Sequence, residues 1–258
     1  MKLHKSNKDP ELYYYFNAKD EKLWMFRHKF YDKSDNRKEK KKSGFKTEKA
    51  ALKALLEVKA ATLRGESKQV EYEHLTVGEW LDTWYELNHK KWKDSTRIQR
   101  ELIIRLHLKP LLGHYKLQKI DRIVYQRKFL DVIEGKYKPY TVRSWHNVFK
   151  IAINAAVEEE ILSRNRFTKI TISDNDNEKI NYFTSDQLAI FLEDVKKHEN
   201  IMYYSFFMVV SYTGMRRGEA LGLQWKNINF KNHSITIERT RDDKGIRYLR
   251  QKIVLEQF

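Results

Sequence analysis

Two adjacent arginines, Arg216 and Arg217, stand between a glycine break and a short amphipathic run in Ser211-Tyr212-Thr213-Gly214-Met215-Arg216-Arg217-Gly218-Glu219-Ala220-Leu221-Gly222-Leu223. The pattern puts guanidinium groups at the start of a helix, where free N–H groups and the macrodipole already favour an anion. Arginine suits phosphate there, because its planar fork can hold two oxygens at once. The plainer reading is a helix junction carrying a solvated arginine pair. Spacing by itself does not separate the two.

Composition narrows the partner. The 258 residues carry a formal charge of +16, which calls for a polyanion: nucleic acid first, an anionic membrane surface second. No apolar run approaches the ~20 residues that span a bilayer, and the N-terminus lacks the apolar core of a signal peptide. The absence of cysteine excludes a disulfide framework and a thiolate metal site, and fits a cytoplasmic protein. The length is ample for two or so domains with real cores.

The elements that must position the arginines begin far upstream. Residues 1–46 read as a small three-stranded sheet. Two aromatic-rich runs, Leu12–Phe16 and Leu23–Tyr31, are followed by a turn-rich cluster at Asp32–Asn36 and a basic strand from Arg37 to Phe45. Thr47 then caps a helix over Glu48 to Leu63. Trp24, Arg27 and Lys29, with Arg37, Lys38, Lys40, Lys41 and Lys42, place cations beside aromatics on this sheet. That predicts a DNA-facing sheet, a known way into the major groove; the alternative is a solvated, charge-protected edge.

Gly65–Gln69 reads as a linker into a helical segment over 75–168. Thr76 caps its first helix, Ser95-Thr96 its second, and Pro110-Leu111-Leu112-Gly113 is a break. Helices over Asp121–Glu134 and Thr141–Glu158 follow. Trp, Leu and Ile positions here are expected to be core. Lys93, Thr96, Arg97, Arg143 and Lys150 are candidate phosphate contacts, beside Lys90, Lys91, Arg100 and Lys138; any one of them could equally be a solvated cation. A polar, acidic linker over Thr171–Ile180 leads to a helix capped by Thr184, a very apolar helix over Ile201–Tyr212, the arginine box, and two short strands within Ile228–Ile237. An unfinished hairpin is expected from Glu238 to Arg247.

In this order the chain resembles the tyrosine recombinases, in particular the integrases of phages and mobile elements. Trp24-Met25-Phe26-Arg27, the lysine run and Gly44–Ala50 are similar to an arm-type DNA-binding domain over 1–68. Thr76–Trp80, Ser95-Thr96, Pro110–Gly113, Thr141-Val142 and Ala152–Ala156 are similar to a helical, SAM-like core-binding domain over 75–168. Thr213–Glu219 resembles the box opening the catalytic domain, from 181 onward. The resemblance implies a multidomain α+β fold, Arg216 as the first catalytic arginine and Glu219 as its acidic support. It implies site-specific recombination or integration, in which a tyrosine attacks a DNA phosphodiester and arginines stabilise charge on the non-bridging oxygens, with no metal or cofactor. Implied partners are double-stranded DNA with att-like arm and core sites, further copies of the chain on that DNA, and a directionality factor; no membrane is implied.

The chain departs from the family after the box. No histidine follows His233, and Tyr248 is the only tyrosine beyond the box. Tyr248 falls where the family's hairpin should be, so it reads as an incidental strand residue rather than the nucleophile. Ordinary A/T-rich codons for Tyr248–Phe258, read from the last base of the tyrosine codon, give Pro-Lys-Thr-Lys-Asn-Ser-Ile-Arg-Thr-Ile. Family members commonly carry such a run here. The expectation is a catalytic domain cut short by a frameshift near Arg247–Tyr248, with apolar surface left open. A shifted frame in the coding DNA without that continuation would remove it. The rivals are a protein that binds recombination sites without cleaving them, and an unrelated basic regulator.

Overall fold

A computed structural model describes residues 2–32, 35–172, 182–242 and 245–256. Two compact units divide the chain, Met1–Asn177 and Glu178–Phe258. The expected interdomain linker at 171–180, the tail beyond Tyr248 and part of the 32–36 turn fall wholly or partly outside the described residues and side chains.

The first unit opens with strands β1 (His4–Lys5), β2 (Leu12–Phe16), β3 (Lys22–Tyr31) and β4 (Arg37–Phe45), an antiparallel sheet in the order β1-β2-β3-β4. The sheet has one strand more than the three expected; the extra one is a two-residue edge on β2, too short to show as an alternating pattern. Helix α1 (Glu48–Leu63) starts at Thr47, whose hydroxyl accepts the Ala50 N–H. It lays Ala51, Leu55 and Val58 on Leu12, Phe26 and Phe30 of the sheet. The expected linker is instead ordered and partly helical. Helix α2 (Ser67–Glu71) buries Val70 in that same core, so the apolar contact of one valine overrides the polar composition around it.

The helical segment begins with α3 (Val77–Asn88). Thr76 and Glu79 form a reciprocal capping box. Helix α4 (Asp94–Ile103) starts at Asp94 with Lys93 as its cap residue; Ser95 and Thr96 lie within its first turn rather than capping it. The helix does not break at Pro110. A single π turn over Ile104–Leu108, closed by the Lys109 N–H on the Ile104 carbonyl, carries it into α5 (Lys109–Leu112). Proline has no N–H and its ring crowds the carbonyl four residues back. The wider turn ahead of Pro110 relieves that crowding, and the stop comes at Gly113. The expected 121–134 helix carries the same device, as α6 (Arg122–Tyr125), a π turn over Gln126–Leu130 and α7 (Asp131–Glu134), with Asp121 as the cap.

Helix α8 (Pro139–Glu158) is the spine of this unit, burying Val142, Trp145, Phe149, Ala152, Ile153 and Ala156. Trp80 reaches it through an indole N–H donated to the Ala152 carbonyl at 2.8 Å. Tyr125 and His146 make a buried polar pair, with the phenol 3.0 Å from Nδ1. Burial, then Lys150 nearby, holds that imidazole down to about 4, so it is neutral and shares one hydrogen bond with the phenol. Leu87, Ile98, Leu102 and Leu106, expected in the core, are exposed. Leu87 lies on α3, Ile98 and Leu102 on α4, and Leu106 in the π turn that follows.

The second unit contains α9 (Ser185–His198), α10 (Ile201–Thr213), α11 (Arg217–Gly222), and a sheet of β5 (Ile228–Asn229), β6 (Ser234–Asp242) and β7 (Gly245–Glu256) in that order. Thr184 caps α9 in a second reciprocal box with Gln187. The hairpin expected to be unfinished is paired along its backbone, from Asp242 opposite Gly245 to Ser234 opposite Glu256. Despite its apolar composition α10 has no buried residue, and Ile201, Met202, Tyr203 and Tyr212 are each at least half exposed. With α11 and the residues after it, α10 lines a cavity of about 630 Å³ whose walls include Met202, Phe206, Leu221 and Trp225, with Arg217 and Arg241 also on its lining.

Candidate nucleic-acid interface and phosphate site

Helix α10 ends at Gly214, which sits in the left-handed region (φ 67°) and returns its N–H to the Val210 carbonyl. Glycine takes that conformation without the Cβ penalty. The chain then alternates. Met215 goes inward against Ile235 and Ile237, and Arg216 comes out, its side chain 83% exposed. Glu219 is only 7% exposed and grips Arg216 twice. One carboxylate oxygen accepts the Arg216 backbone N–H at 2.9 Å and the other accepts Nη1 at 3.1 Å. A buried carboxylate thus braces an exposed guanidinium, leaving the rest of its five-donor fork open to solvent.

This alters the electrostatic expectation in one respect. Helix α11 has six residues, and the Glu219 carboxylate already sits on the N–H of its cap residue. Attraction for an anion must therefore come from the guanidinium itself rather than from the helix end. Arg217 is exposed on the lining of the apolar cavity, with Arg241, and does not share the Glu219 brace.

What holds α11 in place was not singled out in the sequence. Gly218 and Gly222, four residues apart, form the face that lies on β6. A Cβ on Gly222 would stand 2.7 Å from the Arg239 carbonyl oxygen, and one on Gly218 would strike the Thr240 hydroxyl. Arg239 completes the contact by donating Nε to the Gly222 carbonyl at 2.7 Å. The i, i+4 glycine spacing was the available signal.

In the sheet, residues directly opposite one another share a face. Phe26 opposes Lys42, His28 opposes Lys40 and Phe30 opposes Lys38, so these three lysines lie on the side covered by α1 and α2. Trp24 lies on that side too, half-buried against the core and opposite Tyr14 and Phe45. Half of the eight sheet residues expected to face DNA therefore point the other way. Arg27, Lys29, Arg37 and Lys41 occupy the open face. There Arg27 makes a two-pronged pair with Glu39 at 2.8 and 3.0 Å, which holds the Glu39 carboxyl below its usual range.

The helix-side lysines have carboxylate partners. Lys38 reaches Glu71 at 2.9 Å, and Lys42 and Lys40 reach Glu73 at 2.5 and 3.1 Å. Lys40, 7% exposed, also donates to the Val70 carbonyl at 2.6 Å. Burial alone would raise the Glu73 pKa, but hydrogen bonds from Lys42 and Lys40 outweigh it and pull the carboxyl down to about 2. Because the folded value lies below the unfolded one, this pairing stabilises the fold fully above about pH 4.5 and is lost as pH falls toward 2.

On the helical segment Lys93 is exposed at the start of α4, and Thr96 and Arg97 follow in its first turn, Arg97 pairing with Asp94 at 3.0 Å. Arg143 and Lys150, both half-buried, are seven residues apart on one face of α8. Arg100 stacks its guanidinium 4.2 Å from the Trp92 ring centre, and burial lowers its pKa. It braces the segment that carries Lys90, Lys91 and Lys93 rather than standing free.

A basic sheet, a helical bundle with cations at its helix starts and an exposed arginine braced by a buried glutamate define an α+β protein of the integrase class. Three family models match in the same order: the arm DNA-binding domain over 13–62, the SAM-like N-terminal domain of phage integrases over 76–131, and the phage integrase family itself over 181–252. The chain belongs to the tyrosine recombinases of the phage integrase family. It is 28% identical over 179 residues to a XerC-like tyrosine recombinase of Caldanaerobacter subterraneus, covering 66% of this chain and 45% of that one. It is also 28% identical over 184 residues to the integrase of Staphylococcus phage L54a, covering 65% and 51%. The chain thus spans about half the length of these relatives. Among solved structures, the Tn1549 transposon integrase in complex with a circular intermediate DNA shares the fold at a TM-score of 0.62 and 19% identity, over 71% of this chain and 61% of that one. Lambda integrase bound to a core site does so at 0.57 and 16%, over 70% and 62%.

Proposed function

We propose that this chain carries the DNA-holding units and the first phosphate-binding arginine of a site-specific recombinase that integrates a phage or mobile element. The observation that carries this is Arg216, held out into solvent by a buried carboxylate, in a chain whose upstream units carry cations on one open sheet face and at helix starts. In this assignment the domains are 1–68 for arm-type DNA, 75–168 for core-type DNA and 181 onward for the phosphate chemistry. The partners are double-stranded DNA and further copies of the chain bound to it, with a directionality factor as an accessory, and the protein works in the cytoplasm. Arg216 holds a non-bridging phosphate oxygen and Glu219 fixes the angle of its fork. A preorganised donor of this kind stabilises the charge that develops when the phosphodiester is attacked.

A second reading is favoured by Tyr248. It is the one tyrosine after the box, 75% exposed on β7 opposite Arg239, with no histidine beyond the box other than His233 in the β5–β6 turn. In this reading the chain binds recombination-site DNA without cutting it, and competes with cleaving recombinases for it. Incubation with a nicked duplex, followed by denaturing electrophoresis, separates the two. The expected result is salt-sensitive binding and no covalent adduct. An adduct abolished by Tyr248→Phe would overturn the binding-only reading for this chain.

A further inference from the structure

Strand β4 alternates in exposure as well as in direction: Arg37, Glu39 and Lys41 are exposed, Lys38 and Lys42 half-buried and Lys40 buried. The inward lysines converge on one short stretch, Val70 to Glu73. Lys38 takes Glu71, Lys40 takes the Val70 carbonyl and Glu73, and Lys42 takes Glu73. The other side of that stretch is held by the helical segment. Gln118 donates its amide to the Gln69 carbonyl at 2.7 Å and to the Ile161 carbonyl at 3.4 Å, and Lys68 lies 3.5 Å from Glu159. Residues 67–73 are therefore fastened on both sides. We infer that the even-numbered lysines of β4 are not DNA contacts but a latch, locking the basic sheet onto the helical segment so that both present their cations to DNA as one body.

The physical case rests on what each lysine would have to give up. Lys40 leaving for a phosphate would strand the Val70 carbonyl and the Glu73 carboxylate in a largely buried place, which is costly. Lys29 and Lys41, exposed on the open face, face no such loss. Lys38 and Lys42 lie between these extremes, but each already has a charged partner within hydrogen-bond distance. The proposal also gives α2 a task that a flexible linker could not perform. Two DNA-binding surfaces joined rigidly gain from each other's binding, whereas a loose tether spends part of that gain on ordering.

The inference rests on the DNA-binding reading, and the test keeps the two apart. Binding of the full 258-residue chain to a random-sequence 30-base-pair duplex is followed across salt. For each phosphate that the protein ceases to neutralise, the slope of log K against log salt falls by about 0.9. Lys29→Met/Lys41→Met is expected to lower the slope by nearly two, and Lys38→Met/Lys42→Met to leave it within about half a unit of the parent. A parent chain without salt-dependent binding would sink the DNA reading. A drop for Lys38→Met/Lys42→Met equal to that for the open-face pair would overturn the latch alone. A second measurement covers variants that fold poorly: amide hydrogen exchange over residues 67–74 in Glu73→Gln. The expected change is tenfold or more faster exchange there, with α8 unaffected; unchanged exchange would contradict the latch.

Discussion

Replacing Arg27, Lys29, Arg37 and Lys41 together by glutamine is expected to cut affinity for duplex DNA on the order of a hundredfold and to lower the salt slope by about three to four. These are the cations that the β3–β4 register puts on the open face. Their side chains support nothing in the sheet–helix core, which is built from Leu12, Phe26, Phe30, Ala51, Leu55, Val58 and Val70. The melting temperature of the chain should therefore hold while binding collapses. Among the described residues, Arg27 is the member with a side-chain tie, through Glu39. As a solvent-screened surface ion pair it adds too little to confuse the outcome. Equilibrium titration at several salt concentrations, with a thermal melt of the same sample, reads both effects. A slope that stays at the parent's value would mean that the sheet does not face DNA.

Gly222→Val is expected to destabilise the second unit by about 1–3 kcal/mol or more, and to displace α11 along with the arginine it starts from. The cause is local and rigid. The new Cβ would sit 2.7 Å from a backbone carbonyl of β6, an atom that cannot swing away as a side chain could. Any relief requires α11 to lift off β6, which breaks the Arg239 bond to the Gly222 carbonyl and moves the Glu219 brace. Gly135→Ala is the control. Its Cβ meets nothing within 4 Å and its φ of −75° suits any residue, so it should be neutral. Chemical denaturation followed through the tryptophans, with amide exchange at Ala220–Leu223, distinguishes the two. Equal stability of Gly222→Val and the parent would show that α11 does not need the close approach of the glycine to β6.

Much of this architecture is legible in the sequence because the signals are local. The capping boxes at Thr76 and Thr184, the Thr47 cap and the Gly214 stop each depend on a few neighbouring residues, and each is found where the pattern puts it. What is not legible depends on contacts distant in sequence. A lysine run looks alike on both faces of a strand until the partners of β4 are known, and Glu71 and Glu73 announce themselves only when set against Lys38, Lys40 and Lys42. Alternation in the lysine run together with alternate acids 30-odd residues on was the available clue. Ser95 and Thr96 mislead because a cap-type residue is also tolerated within a first turn. Pro110 misleads because a π turn can carry a helix across a proline, and no simple sequence signal marks that turn. At the arginine box, residue types point to phosphate, but the brace by buried Glu219 and the glycine bed on β6 are tertiary facts.

The most direct test of the account is the effect of Arg216→Ala on duplex binding by the 258-residue chain. The Arg216 side chain is 83% exposed but pairs with the buried Glu219 carboxylate, so a lowered melting temperature is expected and binding is compared well below the melt of both chains. If its guanidinium holds a backbone phosphate, affinity should fall roughly tenfold and the salt slope by about one. Affinity and slope both equal to the parent's would contradict the account and leave Arg216 a solvated residue at a helix junction.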